Sequence, residues 1–148
     1  MSTPFARVHH LCIAVHDIEQ AIAYYESVGI GPWHDYPPLA EFTRLEVPDP
    51  DGFRALDYRY AWIGDFQLQL VQPGPEPTPQ RRFLDEHGEG VFHVGFEVPD
   101  ADAADAQAAE LGIAPLMRGR RDNGSGFTYF DTADRAGVVL EIRQSPPA

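Results

Sequence analysis

The sequence predicts an α+β fold made of two tandem modules, each a strand, a helix and three further strands. Three observations predict it. "HHLCIAVHD", from His9 to Asp17, is nearly repeated by "FHVGFEVPD", from Phe92 to Asp100. A shift of 83 positions carries His10 onto His93, Asp17 onto Asp100, Ala21 onto Ala104, Gly29 onto Gly112 and Ile30 onto Ile113 without a gap. Each copy is followed by a hairpin-like stretch, and the last strands, "LQLVQ" and "LEIRQ", align at a shift of 72.

The elements follow in order. Leu11, Ile13 and Val15 alternate with His10, Cys12 and Ala14, the period of a strand. Asp17 stands where a side-chain oxygen can cap a helix. A helix of about 12 residues follows, with Ile18, Ala21, Ile22 and Tyr25 on one face. Gly29 falls where a helix ends. "LEVPDPDGF" carries loop that the second half lacks. "ALDYRYAWIGDFQLQLVQP" reads as a hairpin turning at Gly64-Asp65. The prolines of "QPGPEPTPQRRF" mark a linker. The second copy repeats this grammar through Val94, Phe96 and Val98, then Asp100 and Gly112. "FTYFDTADRAGVVLEIRQ" is its hairpin with a longer connection. The expected division is a first module over 7–73, a linker with a short helix over 74–90 and a second module over 91–145, together one domain.

Composition bounds the function. A chain of 148 residues with 43% hydrophobic and 23% charged residues suits one soluble globular unit. No apolar run approaches the ~20 residues of a membrane helix, and "MSTPFARVHH" has no signal-like apolar region. Cys12 is the single cysteine, so a reducing, cytoplasmic home is expected. The formal net charge of -12 argues against nucleic acid and anionic membranes. All eleven basic residues are arginine. Without lysine there is no Schiff-base chemistry and no Walker A motif.

A pseudo-twofold axis between the modules would bring matching positions together. His10 matches His93, and Gln69 matches Glu141. All four alternate against the apolar series of their strands, so they face the other side of the sheet. If the sheet curves, that side lines a cavity. Two imidazoles, an amide oxygen and a carboxylate suit one divalent ion: zinc, cobalt, nickel, manganese or iron. Such an ion would polarise a substrate carbonyl or stabilise an enediolate.

At this point the sequence resembles the vicinal oxygen chelate superfamily, which includes glyoxalase I, methylmalonyl-CoA epimerase, extradiol dioxygenases and bleomycin-binding proteins. The resemblance spans roughly Val8 to Gln144 through "HHLCIAVHDIEQAIAYY", "FQLQLVQP", "FHVGFEVPD" and "FDTADRAGVVLEI". It implies paired βαβββ modules, a curved mixed sheet around a metal cleft, and His10, Gln69, His93 and Glu141 as ligands. The His, Gln, His, Glu order is similar to the epimerase and glyoxalase branches. The resemblance further implies a homodimer and a small-molecule substrate. It suggests Glu141 as a base that leaves the metal. The epimerase branch uses a second, non-ligand glutamate in the loop before the first hairpin; here Glu46 and Asp51 are candidates, though neither aligns cleanly.

Other residues have two readings. Trp33, His34 and Tyr36 are candidate lid or wall residues, or simply surface packing. Arg118, Arg120 and Arg121 can hold a carboxylate or phosphate, or form a solvated charge run. His9 reads as packing or capping, Gln67 and Gln72 as residues of the wrong parity or in a loop position, and Cys12 as a buried inert thiol. The expected function is a divalent-metal-dependent isomerase, epimerase or lyase acting on a small carbonyl metabolite through an enolate. The alternatives are a non-catalytic small-molecule or drug-sequestering protein, and a ring-cleaving dioxygenase.

Overall fold

A computed structural model describes residues 3–148. The first half runs β1 (Val8–Ala14), α1 (Ile18–Ser27), β2 (His34–Asp35), β3 (Arg44–Glu46), α2 (Pro50–Arg54), β4 (Asp57–Ile63) and β5 (Phe66–Gln72). Helix α3 (Pro79–His87) links it to the second half. There follow β6 (Gly90–Glu97), α4 (Ala101–Glu110), β7 (Pro115–Arg120), β8 (Gly126–Phe130), α5 (Ala133–Ala136) and β9 (Val139–Gln144).

The repeated residues do repeated work. Asp17 has extended backbone and accepts from the Gln20 N–H at 3.1 Å, starting α1. Asp100 does the same for α4 through Ala103 at 3.0 Å. Gly29 and Gly112 follow the helices with φ of 90° and 76°, a conformation that side-chained residues rarely adopt.

All nine strands form one open, mixed sheet in the order β2-β4-β5-β1-β6-β9-β8-β7-β3. The halves therefore meet edge to edge within one chain, along the antiparallel β1–β6 pair. Leu11 stands opposite Val94, and these are positions that the shift of 83 equates. The pseudo-twofold axis thus passes between them, with His10 and His93 one residue away on opposite sides. Outside this pair, β5 runs parallel to β1 and β9 parallel to β6.

Apolar residues cover both sheet faces. On the outer face α1 packs Ile18 and Ile22 against Val15 and Leu70, while α4 packs its alanines against Phe130 and Ile142. The inner face, expected only to line a cavity, holds a large cluster as well: Cys12, Ala14, Tyr58, Val71, Phe127 and Tyr129 among others. Two segments cover it. Helix α3 brings Leu84. Residues 36–56, of which "LEVPDPDGF" (45–53) was read from sequence as extra loop, bring Phe42 and Phe53, with Phe53 stacked on Phe127 at 5.6 Å. That segment also leaves its own half. Its strand β3 forms the far edge of the sheet by pairing with β7, Leu45 opposite Gly119. Among the described residues no helix is long and apolar enough to cross a membrane.

Candidate metal centre

Register builds the centre. In β1–β6, Cys12 is opposite His93 and His10 opposite Gly95. On the flanking strands Gln69 is opposite Cys12 and Glu141 opposite Gly95. Cross-strand partners share a sheet face, so His10, His93, Gln69 and Glu141 all project to the inner face. All four are buried.

Three of them converge to bonding range of one point. His10 Nε2 lies 3.0 Å from His93 Nε2 and 2.7 Å from Glu141 Oε1. His93 Nε2 lies 3.6 Å from the same oxygen. Ligands bound about 2.1 Å from a metal at right angles sit about 3 Å apart. The observed spacings scatter about that value. Glu141 Oε1 is buried and makes no well-aligned hydrogen bond, although His10 Nε2 is 2.7 Å away, a costly condition unless a cation meets it. Gln69 lines the same cleft as His10 and Glu141. Its amide nitrogen donates to Gln67 Oε1 at 2.6 Å, which leaves its carbonyl oxygen as the ligand-capable atom. The donor set therefore fits a divalent ion of borderline softness.

The electrostatics agree. Burial lowers His10 to about 3, helped by the Arg143 charge. Burial likewise lowers His93 to about 3, against the opposing pull of Glu141. Glu141 is raised to about 7, chiefly by burial. Taking these groups out of water disfavours every charged form. A divalent cation is the partner that would let the carboxylate ionise while both imidazoles stay neutral.

Neighbouring groups hold the candidate ligands. Arg143 Nη1 donates to His9 Nε2 at 2.7 Å, and His9 Nδ1 meets His10 Nδ1 at 2.9 Å. His9 is thus more than packing: it orients His10, an arrangement common around metal-binding imidazoles. A break in strand register between Val8 and His10 lets these successive side chains meet. Gln80 Nε2 donates to Tyr58 Oη at 3.0 Å, and the Tyr58 and Tyr129 hydroxyls are 2.9 Å apart. Tyr129 in turn bonds the Glu141 carboxylate. Gly95 leaves room for the His10 ring, onto which a Cβ at that position would fall.

The remaining candidates divide sharply. Glu46 does not face the cleft: β3 carries it to the outer edge, where Arg118 holds it at 2.7 Å. Asp51 is almost fully exposed on α2, near Arg54. Trp33 packs on Tyr25 and donates to the Ile30 carbonyl at 3.1 Å, on the outer face. His34 is exposed on edge strand β2 beside Tyr60. Arg118 and Arg120 are committed to Asp105, and Arg120 also to Asp102. Of the arginine run only Arg121 lines the cleft. Tyr36 lines it as a wall residue. Gln67 lies within β5 opposite His10, not in a loop. Sequence reasoning missed Phe42, Phe53, Tyr58, Phe127, Tyr129 and Arg143, which also line the cleft. The alternation of β4, β8 and β9 was the signal for four of these; nothing local marks Phe42 or Phe53.

Residues 9–130 match the model of the Glyoxalase/Bleomycin resistance protein/Dioxygenase superfamily. The chain is similar to the human mitochondrial methylmalonyl-CoA epimerase, 24% identical over 142 residues that cover 94% of this chain and 74% of that protein. Methylmalonyl-CoA epimerase from Mycobacterium tuberculosis shares the fold, with a TM-score of 0.75 and 22% identity, covering 99% of this chain and 93% of that one. A variant of the Streptomyces coelicolor methylmalonyl-CoA epimerase, solved with 2-nitronate-propionyl-CoA, gives a TM-score of 0.72 at 26% identity, covering 97% and 99%.

Proposed function

Because the chain belongs to the glyoxalase/bleomycin resistance protein/dioxygenase superfamily, we propose that it is a divalent-metal-dependent enzyme of the isomerase or epimerase kind. It moves the proton beside a carbonyl in a small metabolite. The observation that carries this reading is the convergence of a buried Glu141 oxygen, which makes no well-aligned hydrogen bond, with two imidazole Nε2 atoms. The similarity to methylmalonyl-CoA epimerases supports the reaction class.

His10, His93, Gln69 and Glu141 would hold the ion. When bound, the ion supplies Lewis-acid polarisation of the carbonyl, which makes the neighbouring C–H more acidic. Glu141 would leave the ion to take that proton. Off the ion, burial raises this carboxylate to about 7, where a base can both accept and return a proton. The tyrosine pair keeps the base in place. A Gln80 amide N–H can only donate, so the Tyr58 proton points to Tyr129 and the Tyr129 proton to Glu141. Phe42, Phe53 and Phe127 wall the cleft and exclude water from the exchanging proton.

Deuterium uptake at the carbon beside the carbonyl tests this. Metal-loaded protein in deuterated water is offered methylmalonyl-CoA and a panel of 2-oxo acids, followed by NMR. Exchange with at least one substrate, reduced about 10²–10⁴-fold in Glu141→Gln, is expected. Equal exchange by the variant would remove Glu141 from the mechanism.

A further inference from the structure

The candidate ligands lie behind a wall. His10, His93, Gln69 and Glu141 are each 5% exposed or less. The cleft in front of them encloses about 20 Å³, room for about one water. A metabolite that brings a carbonyl and its neighbouring carbon is larger, so part of the wall has to move.

Most of the wall is fixed. Phe127 and Tyr129 belong to β8, which is paired on both sides. Phe53 belongs to α2, whose Gly52 lies close against the linker: an added Cβ would fall 2.7 Å from Glu76 Cβ and 2.9 Å from Thr78 Cγ2. The exception is the arm of residues 39–46. Phe42 is its only buried residue; Leu39 and Leu45 are half-buried and the rest are exposed. Pro37-Pro38 precede the arm and Val47-Pro48 follow it, and proline has no N–H to tie either end into a ladder. Its strand β3 is three residues long and pairs only with β7.

The arm is held by side chains of β7 and the turn after it. Arg121 grips it from the cleft: Nε lies 3.7 Å from Glu41 Oε1, Cζ lies 4.3 Å from the centre of the Phe42 ring, and the guanidinium bonds the Tyr36 hydroxyl. Thr43 Oγ1 donates to Asp122 Oδ1, and Arg118 Nη1 donates to Glu46 Oε2 at 2.7 Å. These last two links are exposed, where water competes and such contacts are weak. Phe42 supplies the apolar seal, edge-on to Phe127 at 5.0 Å.

We propose that residues 39–46 form a lid, shut in this structure, that swings off β7 to admit ligands to the cleft and is latched by Arg121, Asp122 and Arg118. Lifting carries Phe42 out of the wall and leaves Phe53 in place. Access to the imidazoles is measurable without metal or substrate, and so separately from the proposed proton transfer.

Diethyl pyrocarbonate acylates neutral imidazoles that it can reach. Burial keeps His10 neutral, and exposed His16 is the reference. Mass spectrometry of the metal-free full chain follows both. His10 should react in the folded protein, more slowly than His16 yet faster than global unfolding allows. Glu46 and Arg118 stand directly opposite on antiparallel strands, about 4.5–5.5 Å apart at Cα and within disulfide reach, and Cys12 is buried. Glu46→Cys with Arg118→Cys, once oxidised, should slow His10 about tenfold or more relative to His16, and reduction should restore it. Glu41→Gln with Thr43→Val should speed it about threefold. Circular dichroism and thermal melts check that each variant folds. An unreactive His10 in the folded wild type, or one equally reactive with the disulfide closed, would overturn the lid. No gain in the Glu41 and Thr43 double variant would overturn the latch.

Discussion

Replacing Gly95 with alanine should damage the metal centre more than the fold. Gly95 stands opposite His10 across the central strand pair. An added Cβ would fall on the His10 ring, overlapping Cε1 and both nitrogens. The φ of Gly95 is not positive, so the obstacle is space rather than backbone conformation. Overpacking of this kind costs about 1–3 kcal/mol. Alanine in a strand recovers about 0.5–1 kcal/mol relative to glycine. The net destabilisation should therefore be about 0–2.5 kcal/mol, enough at its middle to lower the melting temperature by several degrees and leave the chain folded. His10 cannot keep its place, and misplaced ligand geometry costs about 10–100-fold in metal affinity. Titration calorimetry with cobalt and thermal melts measure both quantities. Gly90→Ala is the control in the same strand, since its new methyl would meet only Phe83 Cζ at 3.9 Å. That variant should bind metal normally and be up to about 1 kcal/mol more stable. Wild-type metal affinity and melting in Gly95→Ala would refute the argument that this glycine makes room for a ligand.

Other outcomes follow from the same geometry. Glu141, raised by burial to about 7, must release a proton to bind a cation, whereas both imidazoles at about 3 are already neutral. Apparent metal affinity should fall about tenfold per pH unit below about pH 7 and level off above it; calorimetry from pH 5.5 to 8 reads this, and a flat profile would contradict it. Glu46→Gln should leave deuterium exchange unchanged, because its carboxylate pairs with Arg118 on the outer edge; a loss matching that of Glu141→Gln would reinstate Glu46 as a catalytic group. Asp17→Ala and Asp100→Ala should each cost about 1 kcal/mol in urea unfolding, since each removes one helix cap; no change in either would deny the caps a role.

The grouping of the four candidate residues was legible because duplication writes geometry into spacing. Equating His10 with His93 and Gln69 with Glu141 requires only alternation and a common shift, and the central β1–β6 pair converts that shift into proximity. The two capping aspartates and closing glycines were legible for the same reason: each acts within its own few residues. What stayed hidden acts across the chain. Phe42 and Phe53 reach the cleft because β3 crosses to pair with β7, a contact that no local pattern announces. Arg118, Arg120 and Arg121 look alike in sequence, yet strand parity and the acidic residues of α4 remove the first two from the cleft. Gly95 carries no motif at all; its role is the shape of the neighbour opposite.

Crystals soaked in cobalt and measured at its absorption edge put the centre to the most direct test. Anomalous scattering should show a single ion per chain, within about 2.0–2.3 Å of His10 Nε2, His93 Nε2 and a Glu141 oxygen. An ion bound elsewhere, or both imidazoles still touching each other in a cobalt-saturated crystal, would contradict the claim that two repeated half-chains fold together to grip one cation.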